Sequence, residues 1–93
     1  MFPLRRRRPV AVILYGRAGC SLCEDAAAAL ARASRRVKID AEEVDIEADD
    51  RLLAEYALRI PVLVDSDSGA VLAEGAVDER TLVATLRKIA QSR

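Results

Sequence analysis

Cys20 and Cys23 are the only cysteines in a chain of 93 residues, and they stand three apart in the run Cys20-Ser21-Leu22-Cys23. Two cysteines scattered at random over such a length would land at this spacing only roughly two or three times in a hundred, so the spacing is itself informative. The pair lies where an apolar run, residues 10–15, gives way to an alanine-rich one, residues 26–29. A thiol attacks a disulfide only as thiolate, and a free cysteine is mostly protonated near neutral pH. At a helix start Cys20 would meet unpaired backbone N–H groups and the positive end of the helix dipole, and Arg17 precedes it in a loop able to curl back. Both favour the thiolate, while Glu24 and Asp25 in the first helical turn moderate it. Cys23, one turn further in, is expected to be less exposed. The expected roles follow: Cys20 attacks a substrate disulfide, and Cys23 resolves the mixed disulfide by closing a Cys20–Cys23 bond.

Other chemistries fit less well. A zinc site normally takes four N or S ligands, and this chain has no histidine and no third cysteine. The missing histidine also excludes a Cys-His or Ser-His-Asp catalytic arrangement. Glu42-Glu43 and Asp49-Asp50 read as solvated faces and helix caps rather than acid–base dyads, and no metal site is expected.

Fifteen basic and fifteen acidic side chains cancel, which gives no overall field to draw the chain to nucleic acid or an anionic membrane. Residues 5–8 are all arginine and read as part of a flexible basic tail over residues 1–9, whereas residues 40–50 are crowded with carboxylates. The apolar run after the arginines is too short for a secretory signal, and none approaches the roughly 18 residues of a membrane span. A cytoplasmic, monomeric protein is expected, and in that compartment a C-x-x-C pair is catalytic or metal-binding rather than a structural staple.

The elements that must position the cysteines are legible in outline. Residues 10–15 are apolar on both faces and rich in β-branched side chains, the pattern of a central strand. Gly16-Arg17-Ala18-Gly19 reads as a loop, and a helix opened by Cys20 or Ser21 runs to about residue 36. Residues 43–46 alternate polar and apolar as an outer strand beside the first. Asp49 or Asp50 caps a short helix with Leu52, Leu53 and Tyr56 as its buried stripe and Arg59 near its end. Residues 60–64 form a strand entered through Pro61, residues 65–69 a turn, and residues 70–73 the second half of a hairpin. Asp78 caps a last helix in which Leu82, Leu86 and Ile89 recur at helical spacing. The order βαβαββα predicts an α/β fold over residues 10–91, a four-stranded mixed sheet with helices on both faces, and at this length a single domain.

With a C-x-x-C after the first strand, this order of elements and Ile60-Pro61 ahead of the third strand, the chain resembles the thioredoxin superfamily. Within it, the chain is similar to the small bacterial glutaredoxin-like proteins. The resemblance implies the thioredoxin-like, glutaredoxin-type fold and a dithiol oxidoreductase that reduces protein or low-molecular-weight disulfides. It implies that Pro61 is cis and faces the redox pair, leaving the backbone of Ile60 to pair with a substrate peptide or glutathione. Tyr15 and Arg17 fall where glutaredoxins carry an aromatic and a lysine, the basic residue serving thiolate formation and glutathione's carboxylate. Gly75-Ala76-Val77-Asp78-Glu79 echoes a run that holds glutathione's other end, which makes Asp78 a binding position. The chain departs from the pattern in having Ser21-Leu22 between the cysteines and Ala76 for a second glycine. Glutathione is the co-substrate the family would use, no cofactor is held, and the recycling reductant is glutathione or a thioredoxin-reductase-type flavoenzyme. Two other readings stay open: a glutathione-assisted [2Fe–2S] cluster shared by two subunits, and a non-catalytic interaction domain.

Overall fold

A computed structural model of the chain describes residues 8–92. The elements follow the order β1 (Val10–Gly16), α1 (Ser21–Ala33), β2 (Ile39–Asp45), a 3-10 turn (Ile46–Ala48), α2 (Asp50–Tyr56), β3 (Val62–Asp65), β4 (Val71–Glu74) and α3 (Glu79–Ser92). The expected tail lies outside the described residues as far as residue 7, and Arg8 and Pro9 are exposed.

The sheet order is β2-β1-β3-β4. β1 pairs parallel with β2 over its whole length, from Val10 opposite Ile39 to Gly16 opposite Asp45. On its other side β1 runs antiparallel to β3, with Tyr15 opposite Val62. β3 and β4 close an antiparallel hairpin with a bulge between Leu63 and Val64. A parallel pair needs a crossover, and α1 supplies it.

Alternation along β1 sorts the two faces. Val10, Val12 and Leu14 are buried in one cluster with Ala26, Ala29, Leu30 and Ala33 of α1 and Leu82, Val83 and Leu86 of α3. Small side chains on α1 let the helix axis approach the strands, and the larger leucines of α3 fill the space beside it. An ion pair between Arg32 and Glu79 ties the two helices at their exposed edge. Tyr15 points to the opposite face, where its ring stacks on Tyr56 of α2 at 4.5 Å between centroids. The helices therefore cover both faces.

Several boundaries differ from the sequence reading. α1 stops at Ala33 rather than near residue 36, because Arg35 N–H and Arg36 N–H turn back to the carbonyls of Arg32 and Ala33. β2 begins at Ile39, four residues before the expected strand, and Ile46 leaves it for the 3-10 turn, where its side chain is fully buried. Because β2 is an edge strand, its charged residues face solvent without spoiling the pairing. Leu52, Leu53 and Tyr56 are half-buried rather than buried, and Arg59 lies beyond α2, whose C-cap is Ala57. β3 starts at Val62 and extends to Asp65, which is buried as the last residue of the strand and also opens the turn, its carbonyl accepting Gly69 N–H at 2.8 Å and its carboxylate the Ser68 hydroxyl at 2.6 Å. β4 is shifted by one residue from the expected run.

Two consequences are measurable. Leu86 is 0% exposed and Leu58 is 102% exposed. Leu86→Ala is therefore expected to lower unfolding free energy by about 2–5 kcal/mol in urea titration, and Leu58→Ala to change it by no more than about 0.5 kcal/mol. The Asp78 carboxylate accepts Thr81 N–H at 3.0 Å and the Thr81 hydroxyl at 2.8 Å, which holds it below its ordinary range. A carboxyl with a lowered folded pKa adds stability that is complete above its unfolded value, near about pH 4, and lost as pH falls through the folded value. Thermal midpoints of the wild type are thus expected to exceed those of Asp78→Asn near neutral pH, and the two are expected to converge in strong acid.

Candidate redox site

The site forms where β1 ends. Gly16 closes the strand, Arg17 to Gly19 make a short loop, and Gly19 takes φ +76, a conformation glycine adopts without a Cβ penalty. Cys20 then occupies the N-cap of α1 in extended conformation, φ −104 and ψ 106. Its Sγ accepts the Cys23 backbone N–H at 3.1 Å, the place that a serine or aspartate oxygen usually fills. Its carbonyl accepts the first helical N–H, from Glu24, at 3.1 Å. One sulfur therefore both caps the helix and sits at the positive end of its dipole.

Cys20 and Cys23 are joined as a disulfide, their Cα atoms 5.2 Å apart. Cys20 is half-exposed, whereas Cys23 is 8% exposed and packs against Gly16. A cavity of about 320 Å³ runs alongside the buried sulfur between α1 and β2. Leu14, Ala27, Glu24, Glu43 and Arg17 are among the residues that line it. Among the described residues, no three metal-ligating carboxylates or cysteines gather at one place.

The residues expected to serve the pair fall into two groups. Pro61 has the expected backbone: the Ile60-Pro61 peptide is cis, and Pro61 is buried one residue ahead of Val62, which pairs with Tyr15 of β1. Arg17 lines the cavity with Cys23, yet its guanidinium pairs with Glu47 Oε2 at 3.3 Å rather than curling onto Cys20. Asp78 is the acceptor of the first turn of α3 and borders hollows at the base of that helix, not the one that Cys23 lines. Ile60 was expected to leave its backbone to pair with a substrate peptide or glutathione; its N–H donates to Tyr56 O at 3.0 Å, closing the turn after α2.

Sequence reasoning missed a structural unit on the α2 face. Arg59 lies over the Tyr56 ring at 5.2 Å and bonds Glu74 at 2.8 Å and Glu55 at 2.8 Å. The Glu74 hydrogen bond is the main reason the guanidinium holds its proton even more firmly than usual, and the same bond lowers the Glu74 carboxyl. Burial, then Tyr56 and Glu42, push the Tyr15 phenol upward, so it stays neutral near pH 7. The signal for this unit was faint: the chain has two tyrosines and one phenylalanine, and each tyrosine shortly precedes a segment of the site.

The family described as "Glutaredoxin-like domain (DUF836)" matches residues 11–87. A search of curated proteins finds no match to the sequence. Among solved structures, a Nitrosomonas europaea protein determined by NMR is 28% identical with a TM-score of 0.76, covering 88% of this chain and 96% of that one. An X. campestris protein solved by X-ray diffraction is 35% identical with a TM-score of 0.71, covering 83% of this chain and 96% of that one. Thioredoxin 1 of Thermosipho africanus, at 14% identity, shares the fold with a TM-score of 0.65, covering 88% of this chain and 96% of its own. The β2-β1-β3-β4 sheet, the C-x-x-C pair at the start of α1 and the match over most of the sequence make the chain a member of the glutaredoxin-like domain family, with the thioredoxin fold.

Proposed function

We propose that the chain is a cytoplasmic thiol–disulfide oxidoreductase that reduces disulfides of proteins or of small thiols. The observation that carries this reading is the asymmetry of the pair: Cys20 is half-exposed with its sulfur on a helix N-terminus, and Cys23 is buried behind it. The N–H that caps α1 through Cys20 Sγ also stabilises a negative charge on that sulfur, and charge-assisted bonds are about twice as strong as neutral ones.

The reaction balances in two exchanges. Cys20 thiolate attacks one sulfur of the substrate disulfide, a Cys20–S bond forms, the substrate S–S bond breaks, and the departing thiolate takes up a proton. Cys23, deprotonated, then attacks Cys20 Sγ, closing the Cys20–Cys23 bond and releasing the second substrate thiol. Two electrons have left the protein. Two molecules of glutathione, or a flavoenzyme of the thioredoxin-reductase type, return them. The Ile60 amide is held by Tyr56 O, and Arg17 engages an anionic group only by leaving Glu47.

Active-site trapping tests the assignment. Cys23→Ser is expected to accumulate mixed disulfides with partner thiols in cell extracts, resolvable by a reducing second dimension on gels, and Cys20→Ser is not. The reverse pattern would exchange the two roles. If neither variant forms adducts, and Cys20 in the reduced wild type alkylates no faster than free cysteine at neutral pH, the reading fails.

A further inference from the structure

We propose that Gly16 is a positioning residue that sets the balance of the pair between disulfide and dithiol, favouring the disulfide by leaving room for the Cys23 sulfur. The proposal rests on the oxidoreductase reading, because only there does the balance have a use. It starts from an oddity of β1. Glycine inside or at the end of a strand gives up packing and costs conformational entropy, and it is worth having only for an unusual dihedral or a close approach. Gly16 has no positive φ; among the described residues the glycines that do are Gly19, Gly69 and Gly75. Dihedral freedom therefore does not explain it.

Close approach does. Residues 10, 12 and 14 of β1 face α1 and α3, so position 16 faces the same way, onto the first turn of α1. A Cβ at position 16 would stand 3.2 Å from Cys23 Cβ and 3.2 Å from Cys23 Sγ. Ordinary contacts between such atoms lie at about 3.5–4.0 Å. Neither partner yields easily: position 16 is paired with Asp45 and follows Tyr15, which is paired on both sides, and Cys23 is held in the helix.

The two oxidation states do not feel that methyl equally. In the disulfide, Cys23 Sγ is fixed by its bond to Cys20 and cannot turn away. In the dithiol, rotation about the Cα–Cβ bond of Cys23 can carry the sulfur off position 16 toward the cavity of about 320 Å³ that Cys23 lines. The Cβ contact persists in both states and costs stability in both. The Sγ contact burdens the disulfide alone.

The experiment equilibrates the full-length chain with reduced and oxidised dithiothreitol, quenches with a maleimide and reads the dithiol fraction by mass. In that equilibrium the Cys20–Cys23 bond breaks, the dithiothreitol ring disulfide forms, and two electrons and two protons pass to the protein. Gly16→Ala is expected to move the constant toward dithiol by about fivefold, which is about 20 mV for a two-electron couple. Gly69→Ala is the control: Gly69 has φ +77 and nothing within 4 Å of an added Cβ, so the change strains the fold without touching the pair. It is expected to lower the melting temperature and leave the redox constant unchanged. A second measurement covers poor folding of the variant: the loss caused by Gly16→Ala is compared in the oxidised chain and in a Cys23→Ala background. A smaller loss without the sulfur supports the proposal. An equal loss in both backgrounds, or a constant unmoved within about twofold in Gly16→Ala, overturns it. These outcomes are separate from the functional reading, which falls instead on an unreactive Cys20 in the wild type.

Discussion

β1 is the constraint on which the rest of the molecule depends. It is paired with β2 along its whole length and with β3 from Val12 to Tyr15, and its two faces meet different helices. A one-residue slip would send Val10, Val12 and Leu14 to the α2 face and Tyr15 into the space filled by α1. Because that slip is forbidden by packing, the point at which β1 ends is fixed. At that point Gly16 lies opposite Asp45 of β2, one residue past the Tyr15–Val62 pair with β3. The first turn of α1 arrives at the same edge because the crossover must begin there. The cysteines stand where they do because the sheet has one place to put them.

The charges around the pair act on shape more than on stability. Arg17–Glu47 and the Arg59 pairs with Glu55 and Glu74 are partly exposed, and such pairs contribute little each. What they do is hold segments that the core does not reach. Glu47 belongs to the 3-10 turn after β2, so its pair with Arg17 ties the loop before Cys20 to the far end of the edge strand. Arg59 spans Tyr56, Glu55 and Glu74, which fastens the end of α2 to β4 across the entry to Pro61. An anionic thiol approaching either cation meets a carboxylate already there.

How much of this was legible follows from which forces set each part. The cysteine motif, the central strand and the capped helices are local in sequence, and each was readable from spacing, propensity or a capping residue. Of Asp49 and Asp50, Asp49 caps α2, and Asp78 caps the first turn of α3, because a cap depends on neighbours two or three residues away. The edge strand was read short because Asp40, Ala41 and Glu42 carry no apolar alternation; β1 recruits them through backbone pairing, to which side-chain pattern is blind. The engagement of Ile60 N–H by Tyr56, the Arg17–Glu47 pair and the Tyr15–Tyr56 stack all depend on how two segments meet in space. Gly16 read as a loop residue for the same reason, since what it must accommodate arrives from another element.

The N-cap sulfur and the glycine beneath its partner act on the same equilibrium in opposite directions. In the disulfide, Cys20 Sγ accepts Cys23 N–H as a neutral and therefore weak acceptor. When Cys20 is a thiolate the same bond becomes charge-assisted and the helix dipole adds to it, so capping favours the reduced pair. The room left at Gly16 favours the oxidised one, since it removes a contact that only the fixed sulfur of the disulfide would suffer. Neither effect requires a buried ionisable partner or a bound ion. A chain without histidine, with few aromatics and with a core of alanine, valine and leucine can thus set its thiol chemistry through backbone alone: one amide aimed at one sulfur, and one missing side chain behind the other.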